Sequence, residues 1–448
     1  MRGSEEMKIQ AMEMENFKGI PYKKIHFNEQ FTLIIGDNGI GKTSILEALS
    51  VGLGGFLAGL DGVATRNIHA EEIRKEWDRV GDATVTPEKQ IPCSVTCQGV
   101  VHGKTFNWKR SIETLKGKTT RIHAKQIISY AEEVQKQITR EKNHDIVLPI
   151  ISYQSAGRLF SQKKNKWIDP FERQELSRFI GYTDCLEAES NIKLFVNWLR
   201  RMTMIQIQKR KKIGELDATL HAVEEFMRGL VKDNETVSMM YDFEEEEVIV
   251  QLGEQSIPLR LMSAGYRSVI GMVADLAFRM SLLNPQLKEM AVKETPGVVL
   301  IDELDLHLHP KWQWKIVEDL KRTFPKVQFI ATTHAPIVIS SCKQGEIIQL
   351  YEDNGIIMNE NQNSPYGWQT EDILLHVMGT VNRVPAVQKK IEEVKKLYAQ
   401  KLQRKLTEGE KLILKQLTAE LYRILPEDDP AVTLAKLDAL DEKVSGMG

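Results

Sequence analysis

The 448-residue sequence predicts an α/β protein, with a mixed sheet flanked by helices, a helical insertion and a C-terminal helical bundle. Three apolar runs predict it. Residues 31–35 lead through a Gly-rich turn into an apolar helix from Lys42 onward. Residues 298–301 (Val-Val-Leu-Ile) follow the break at Pro296-Gly297 and end in two acids, and residues 327–330 end at Thr332-Thr333-His334. Short apolar runs that alternate with helical patterns are the mark of buried strands in a largely parallel sheet.

Taken in order, residues 1–156 read as a first lobe of this sheet domain. It holds an alternating strand over 7–16, a turn at Lys18-Gly19-Ile20-Pro21, the run 31–35, hairpin-like alternation over 93–110 and a strand-like stretch over 147–151. Residues 157–245 read as a helical insertion. From 171 to 233 there is no Pro, and Phe179, Leu186, Phe195, Leu199, Met202 and Ile205 are its candidate buried positions. Residues 246–364 read as a second lobe, with strands at 247–252 and 257–261, a long apolar helix over 266–283 and the two later apolar strands. Residues 365–448 read as helices: Val387, Ile391, Val394, Tyr398 and Leu402 recur at helical spacing, and Thr407 with Glu410 has the spacing of a capping box that would start the next helix.

Composition narrows the function classes. Lys+Arg (60) and Asp+Glu (62) nearly cancel, so any nucleic-acid surface must be local. Three local clusters qualify: Lys104, Lys109, Arg110, Lys116, Lys118, Arg121 and Lys125; Arg158, Lys163, Lys164 and Lys166; and Arg200, Arg201, Lys209, Arg210, Lys211 and Lys212. No apolar run approaches the ~20 residues of a membrane-spanning helix, so no membrane partner and a cytoplasmic location are expected. Cys93, Cys97, Cys185 and Cys342 are too scattered for a disulfide framework or a zinc cage.

Residues 36–43, Gly-Asp-Asn-Gly-Ile-Gly-Lys-Thr, fit G-x-x-x-x-G-K-[ST] between a predicted strand and a predicted helix. Such a loop wraps phosphates with backbone N–H groups, so Gly36, Asn38, Gly39 and Gly41 are the cradle, and the helix behind it adds the positive end of its dipole. Lys42 would neutralise β- and γ-phosphate charge of ATP, and the Thr43 hydroxyl would ligate Mg²⁺. Asp302 and Glu303 end an apolar strand at the carboxyl edge of the sheet, where the cradle opens. Asp302 would hold Mg²⁺, directly or through water, and Glu303 would orient and deprotonate the attacking water.

With these residues in hand, the chain resembles the ABC-type ATPases that include the SMC, Rad50 and RecF proteins. The cradle has their Gly-x-Asn-Gly-x-Gly-Lys form, and Asn16-Phe17-Lys18 is similar to their first-strand motif. Residues 261–267, Leu-Met-Ser-Ala-Gly-Tyr-Arg, are similar to their signature loop L-S-x-G-x-R but depart from it by one inserted-looking residue. The resemblance implies that Ser263 and Gly265 reach the γ-phosphate of the nucleotide held by another subunit, so that two copies close face to face around two ATP molecules. It also implies a D-loop at residues 304–310, where His307 and His309 offer a weaker metal alternative. His334 would be the switch that senses the γ-phosphate, and Gln154 a Q-loop residue contacting Mg²⁺ and the attacking water, with Arg158 as an alternative phosphate contact.

Within that superfamily, the Asp-Glu-x-Asp-x-His-Leu-His-Pro form of residues 302–310, the modest helical insertion and the segment 366–374 resemble bacterial anti-phage defence ATPases of the Septu PtuA type, including retron-associated forms, and of the overcoming-lysogenization-defect type. No Toprim acidic pattern follows the ATPase region. The resemblance therefore implies a separate HNH-type nuclease subunit as partner, a homodimer or higher assembly, and a nucleic-acid contact, DNA or retron RNA–DNA. The helical tail and the insertion are the candidate docking surfaces. The alternative is a DNA-repair ATPase of RecF or Rad50 type, which would need no nuclease partner.

Overall fold

A computed structural model describes residues 6–77, 79–80, 83–84, 87–159, 177–187, 192–231, 236–353, 356–361, 364–381 and 383–433. The second basic cluster falls outside this set: Lys163, Lys164 and Lys166 are not among the described residues, nor is the side chain of Arg158. The chain divides into two compact units, Met1–Trp368 and Gln369–Gly448.

The first unit opens with β1 (Met7–Phe17), β2 (Ile20–His26) and β3 (Phe31–Ile35), followed by α1 (Lys42–Leu57). Next come the hairpin β4 (Cys93–Val101) and β5 (Lys104–Ile112), α2 (Lys125–Thr139) and β6 (Ile150–Gln154). The helical region then supplies α3 (Ile192–Lys209) and α4 (Gly214–Arg228). Strands β7 (Val237–Asp242), β8 (Glu247–Leu252) and β9 (Gln255–Pro258) precede the 20-residue α5 (Ala264–Leu283). The unit closes with β10 (Gly297–Ile301), α6 (Ile316–Thr323), β11 (Val327–Thr332), β12 (Ile347–Asp353) and β13 (Ile356–Asn361).

Two sheets enclose α1. One is antiparallel, in the order β2-β1-β4-β5; the other has six strands in the order β6-β10-β11-β3-β12-β13 and is parallel except for its last pair. Helix α1 packs against strands of both sheets, which is why its sequence is apolar nearly all round. The indole of Trp108 on β5 donates to the Gly52 carbonyl at 2.8 Å, pinning the helix to the antiparallel sheet. In the parallel sheet, Gln154 stands opposite Ile301, Ile301 opposite Ala331, and Thr332 opposite Ile34. This register brings the ends of β6, β10, β11 and β3 to one edge, where open α/β sheets bind ligands.

Several expectations change. Strand β7 starts at Val237, inside the stretch read as helical insertion, and β12 and β13 complete the main sheet where no strand was expected. In the helical region Phe179, Leu186, Phe195 and Leu199 are buried as expected, but Met202 and Ile205 are only half-buried. Leu194 and Trp198 take the inner face instead, with Phe195 and Trp198 packed on Phe278 of α5 at ring-centroid distances of 5.7 and 5.8 Å.

Arg110 is a correction to the first basic cluster. It is fully buried on the same face of β5 as Phe106, Trp108 and Ile112, and it donates to Asn67 Oδ1 at 2.6 Å. Burial pushes its pKa down to about 10, and repulsion from Arg121 acts in the same direction. It secures the 65–67 loop and cannot reach a phosphate backbone.

The second unit contains α7 (Pro385–Gln403) and α8 (Glu408–Ile424), which bury Ile391, Val394 and Leu397 against Leu406, Leu414, Leu421 and Ala431. Thr407 and Glu410 form the expected capping box. The apolar stripe of α7 stops at the half-buried Tyr398, because Leu402 is 90% exposed.

Gly297 fixes the β6–β10 pairing. Its φ is +154°, and a Cβ there would lie 1.9 Å from the Ile150 carbonyl oxygen. Gly297→Ala is expected to cost about 3 kcal/mol or more, the range of backbone strain combined with core overpacking. Urea denaturation followed by circular dichroism reads it, and a change below about 0.5 kcal/mol would contradict this account of the register.

Candidate nucleotide site

The loop 36–41 leaves β3 and enters α1 with Gly36, Gly39 and Gly41 all at positive φ. At Gly36 a Cβ would stand 2.5 Å from the Leu350 carbonyl oxygen, so strand β12 allows only glycine there. The chain therefore wraps tightly enough for Lys42 to fold back, and its Nζ donates to the carbonyls of Gly36 at 2.7 Å and Asp37 at 2.9 Å. Lys42 is 7% exposed; burial lowers its pKa, and Asp302, Asp37 and Glu303 act in the opposite direction. An ammonium held by two loop carbonyls can exchange them for phosphate oxygens.

Asp302 is 5% exposed, and a buried carboxylate is costly unless hydrogen-bonded. Its Oδ2 accepts from Thr43 Oγ1 at 3.0 Å, and its Oδ1 accepts from Thr332 Oγ1 at 2.6 Å. Its backbone N–H donates to the Gln154 carbonyl at 2.8 Å. Thr332 also receives the Glu303 N–H at 2.9 Å, and its carbonyl receives the Leu304 N–H at 2.8 Å. Glu303 can meet it because its own backbone is left-handed, with φ +50°. That conformation costs a non-glycine residue about 1–3 kcal/mol and is characteristic of functional turns.

The turn after Glu303 is tied to the end of β11. Asp305 Oδ1 accepts from the Thr333 hydroxyl and from the His334 N–H, the latter at 3.4 Å. Asn38, Gly39, Gly41, Lys42, Thr43, Asp302, Glu303 and His334 thus line one cleft of about 230 Å³, together with Ser44 and Thr332. A larger cavity of about 440 Å³, beside Lys18, Glu47, Arg66 and Glu72, shares no residue with this cleft. Of its cations, Lys18 is already paired with Glu47 and Arg66 with Glu72, and Glu71 adds a further acid to the lining, so size alone does not make it the phosphate site.

The remaining expected residues lie outside the cleft lining. Gln154 is at the end of β6, and its amide Nε2 donates to Ser152 Oγ at 3.0 Å and Asp275 Oδ2 at 2.9 Å. Ser263 is the exposed N-cap of α5, and its side chain makes no capping hydrogen bond. Gly265 is buried against the turn that follows Glu303; a Cβ would come 2.6 Å from the His307 carbonyl oxygen. His309 caps the next short helix through Nδ1, which accepts from the Lys311 N–H at 3.2 Å. Among the described residues no group of three or more His, Cys, Asp or Glu comes together as a metal cage, so His307 and His309 gain no further ligand there.

The donor set suits Mg²⁺. Thr43 and Asp302, side by side at 3.0 Å, would supply the hard oxygen ligands that this ion takes.

Thr332 is the residue that sequence reasoning left without a role. It ends β11, two residues before the expected switch histidine, and only its hydrogen bond to Asp302 singles it out. Thr332→Val keeps its shape but removes the hydroxyl. Steady-state hydrolysis assays are expected to show turnover reduced about 10–100-fold, the usual cost of removing a group that orients a metal ligand. Thr332→Ser should recover most of it; a Val variant with unchanged turnover would contradict the role.

Comparison with known proteins agrees with this geometry. A family model described as "AAA domain" matches residues 11–229. A second AAA domain model, whose description names an AbiEii toxin and a type IV TA system, matches residues 220–340. The chain is 24% identical over 393 residues to the "Retron Vc95 probable ATPase" of Vibrio cholerae serotype O1 biovar El Tor, covering 77% of this chain and 73% of that protein. It is 25% identical over 378 residues to the "Septu protein PtuA" of Bacillus thuringiensis, covering 83% and 84%. The solved SMC head domain from Thermotoga maritima aligns over 80% of this chain and all (100%) of that one, at 14% identity and a TM-score of 0.42. At that score the fold assignment rests on the strand order and the motifs. Among the described residues no helix is long and apolar enough to cross a membrane. The chain is a P-loop ATPase, matched by AAA domain models and similar to the retron probable ATPase and to the Septu protein PtuA.

Proposed function

We propose that this chain is the ATP-driven switch of an anti-phage defence system, hydrolysing ATP in clefts shared by two copies and controlling a separate nuclease of HNH type. The observation that carries the hydrolytic part is the one cleft lined by residues from 38–44 together with Asp302, Glu303, Thr332 and His334. Its relatives named Septu protein PtuA and Retron Vc95 probable ATPase support the defence setting.

Within the cleft, the N–H groups of the 36–43 loop and the dipole of α1 bind the phosphates, and Lys42 exchanges its loop carbonyls for phosphate oxygens. Thr43 and Asp302 would hold Mg²⁺, directly or through water, with Gln154 as a further contact, and the bound ion would supply charge neutralisation for the phosphates. Glu303 orients the attacking water and takes its proton, and His334 reads the γ-phosphate. Ser263 and Gly265 complete the cleft of a second copy. An exposed helix N-cap hydroxyl without an intrachain capping role is suited to bind an anion from outside the chain.

The exposed run Lys209-Arg210-Lys211-Lys212 at the end of α3 is the basic cluster that survives best as a phosphate-backbone contact for DNA or RNA–DNA. In the second unit the exposed Leu402, Leu412 and Ile413 offer apolar surface to the nuclease.

Glu303→Gln is expected to abolish turnover while retaining nucleotide, so that with ATP and Mg²⁺ light scattering reports twice the nucleotide-free monomer mass, or the corresponding rise from a larger resting assembly. Ser263→Arg in the same background should prevent that rise. A Glu303→Gln chain whose mass does not respond to ATP, or a Ser263→Arg chain that still closes, would overturn the shared cleft.

A further inference from the structure

A largely buried polar chain runs from Gln154 on β6 to α5. Gln154 Nε2 donates to Asp275 Oδ2 at 2.9 Å and to Ser152 Oγ at 3.0 Å, which commits both amide hydrogens. Arg279, one turn further along α5 and 3% exposed, donates from Nε to both oxygens of Asp275, at 3.0 and 2.9 Å. Its Nη1 donates to the carbonyls of Gly181 at 2.9 Å and Thr183 at 2.8 Å. The same stretch of chain is bonded to β6 directly, since the Tyr153 N–H donates to the Cys185 carbonyl at 2.7 Å. The Asp275 carboxylate is therefore held from behind by a guanidinium that is itself locked to two carbonyls.

A glutamine amide has two nearly isosteric ends with opposite chemistry, and only the carbonyl oxygen can bind a hard cation. An ionised carboxylate accepts hydrogen bonds and donates none, so Asp275 selects the Nε2 end and rejects Oε1. We propose that Asp275 is a positioning residue for Gln154: anchored by Arg279, it takes an amide hydrogen of Gln154 and so sets Oε1 as the end offered to Mg²⁺. The proposal rests on the reading of Gln154 as a magnesium contact. It also explains why α5, which carries Ser263 at its other end, is tied to the β6 edge of the same site. Asn at position 275 would lose this selection, because its own amide can donate to Oε1 and stabilise the inverted glutamine.

The test is calorimetric titration of Mg²⁺ into the full chain saturated with a non-hydrolysable ATP analogue, which reads metal affinity without turnover. Gln154→Ala and Asp275→Asn are each expected to weaken Mg²⁺ binding about 10-fold, the scale of a lost orienting contact at a metal site. In the double variant, Asp275→Asn should add nothing to Gln154→Ala, because it acts through that side chain. Asp275→Glu covers the case in which Asp275→Asn fails to fold. It keeps a charge for Arg279, and the 18% exposure of the Asp275 side chain leaves room for one more methylene; it too should weaken Mg²⁺ binding. If Gln154→Ala binds Mg²⁺ as the wild type does, the reading of Gln154 fails. If Gln154→Ala weakens binding while Asp275→Glu and Asp275→Asn do not, or if the double variant loses affinity additively, the positioning role of Asp275 is overturned.

Discussion

The site depends on one buried carboxylate. Asp302 stands at the end of β10 between two hydroxyls, Thr43 from the helix behind the phosphate loop and Thr332 from the neighbouring strand. Water cannot solvate an acid at this depth, so these donors offset its desolvation and, in doing so, fix three segments relative to one another. The parallel register does the rest. With Gln154, Ile301, Ala331 and Ile34 in adjacent strands at nearly the same height, the loops that follow must converge on one edge. A one-residue slip of β10 would turn Asp302 away from both hydroxyls. Gly297, at the other end of that strand, keeps the register by lying where no side chain fits.

What could be read from the sequence follows how locally each feature is encoded. The cradle, the acid pair and the Thr-Thr-His run are contiguous motifs on apolar strands, and the structure gathers them into one cleft. The capping box of α8 is equally local and is formed. The partners of Gln154 and Asp302 are not local: Gln154 meets Asp275 across 121 residues and Thr43 meets Asp302 across 259. Arg110 shows a different failure. Counted among neighbouring lysines it reads as part of a basic surface, but the two-residue period of β5 puts it in line with Phe106, Trp108 and Ile112. Strands β12 and β13 were missed because their apolar runs are short and flanked by acids and amides; pairing with β3, and then with each other, stabilises them.

The elements expected to report on nucleotide are linked within the chain. The turn after Glu303 is bonded through Asp305 to Thr333 and His334, and it presses through the His307 carbonyl on Gly265 at the start of α5. Helix α5 is bonded in turn to β6 through Asp275 and Gln154. A change at the γ-phosphate that moves His334 or the Glu303 turn therefore bears on the helix whose first turn would face a second copy. Glycine at 265 has a role inside its own chain as well as the one expected across the interface, and its replacement would disturb both.

The shared cleft is tested most directly by complementation between two disabled chains. Lys42→Ala lacks a working cradle and Ser263→Arg lacks a working signature, so each alone should be inactive. In a mixed dimer the cradle of the Ser263→Arg chain faces the intact Ser263 of the Lys42→Ala chain, which rebuilds one complete site of the two. Hydrolysis regained on mixing, to as much as half the wild-type rate per dimer, is the predicted result. A mixture as inactive as its components, with nucleotide still bound by the Ser263→Arg chain and mixed dimers detected, would contradict the claim that two copies share the site.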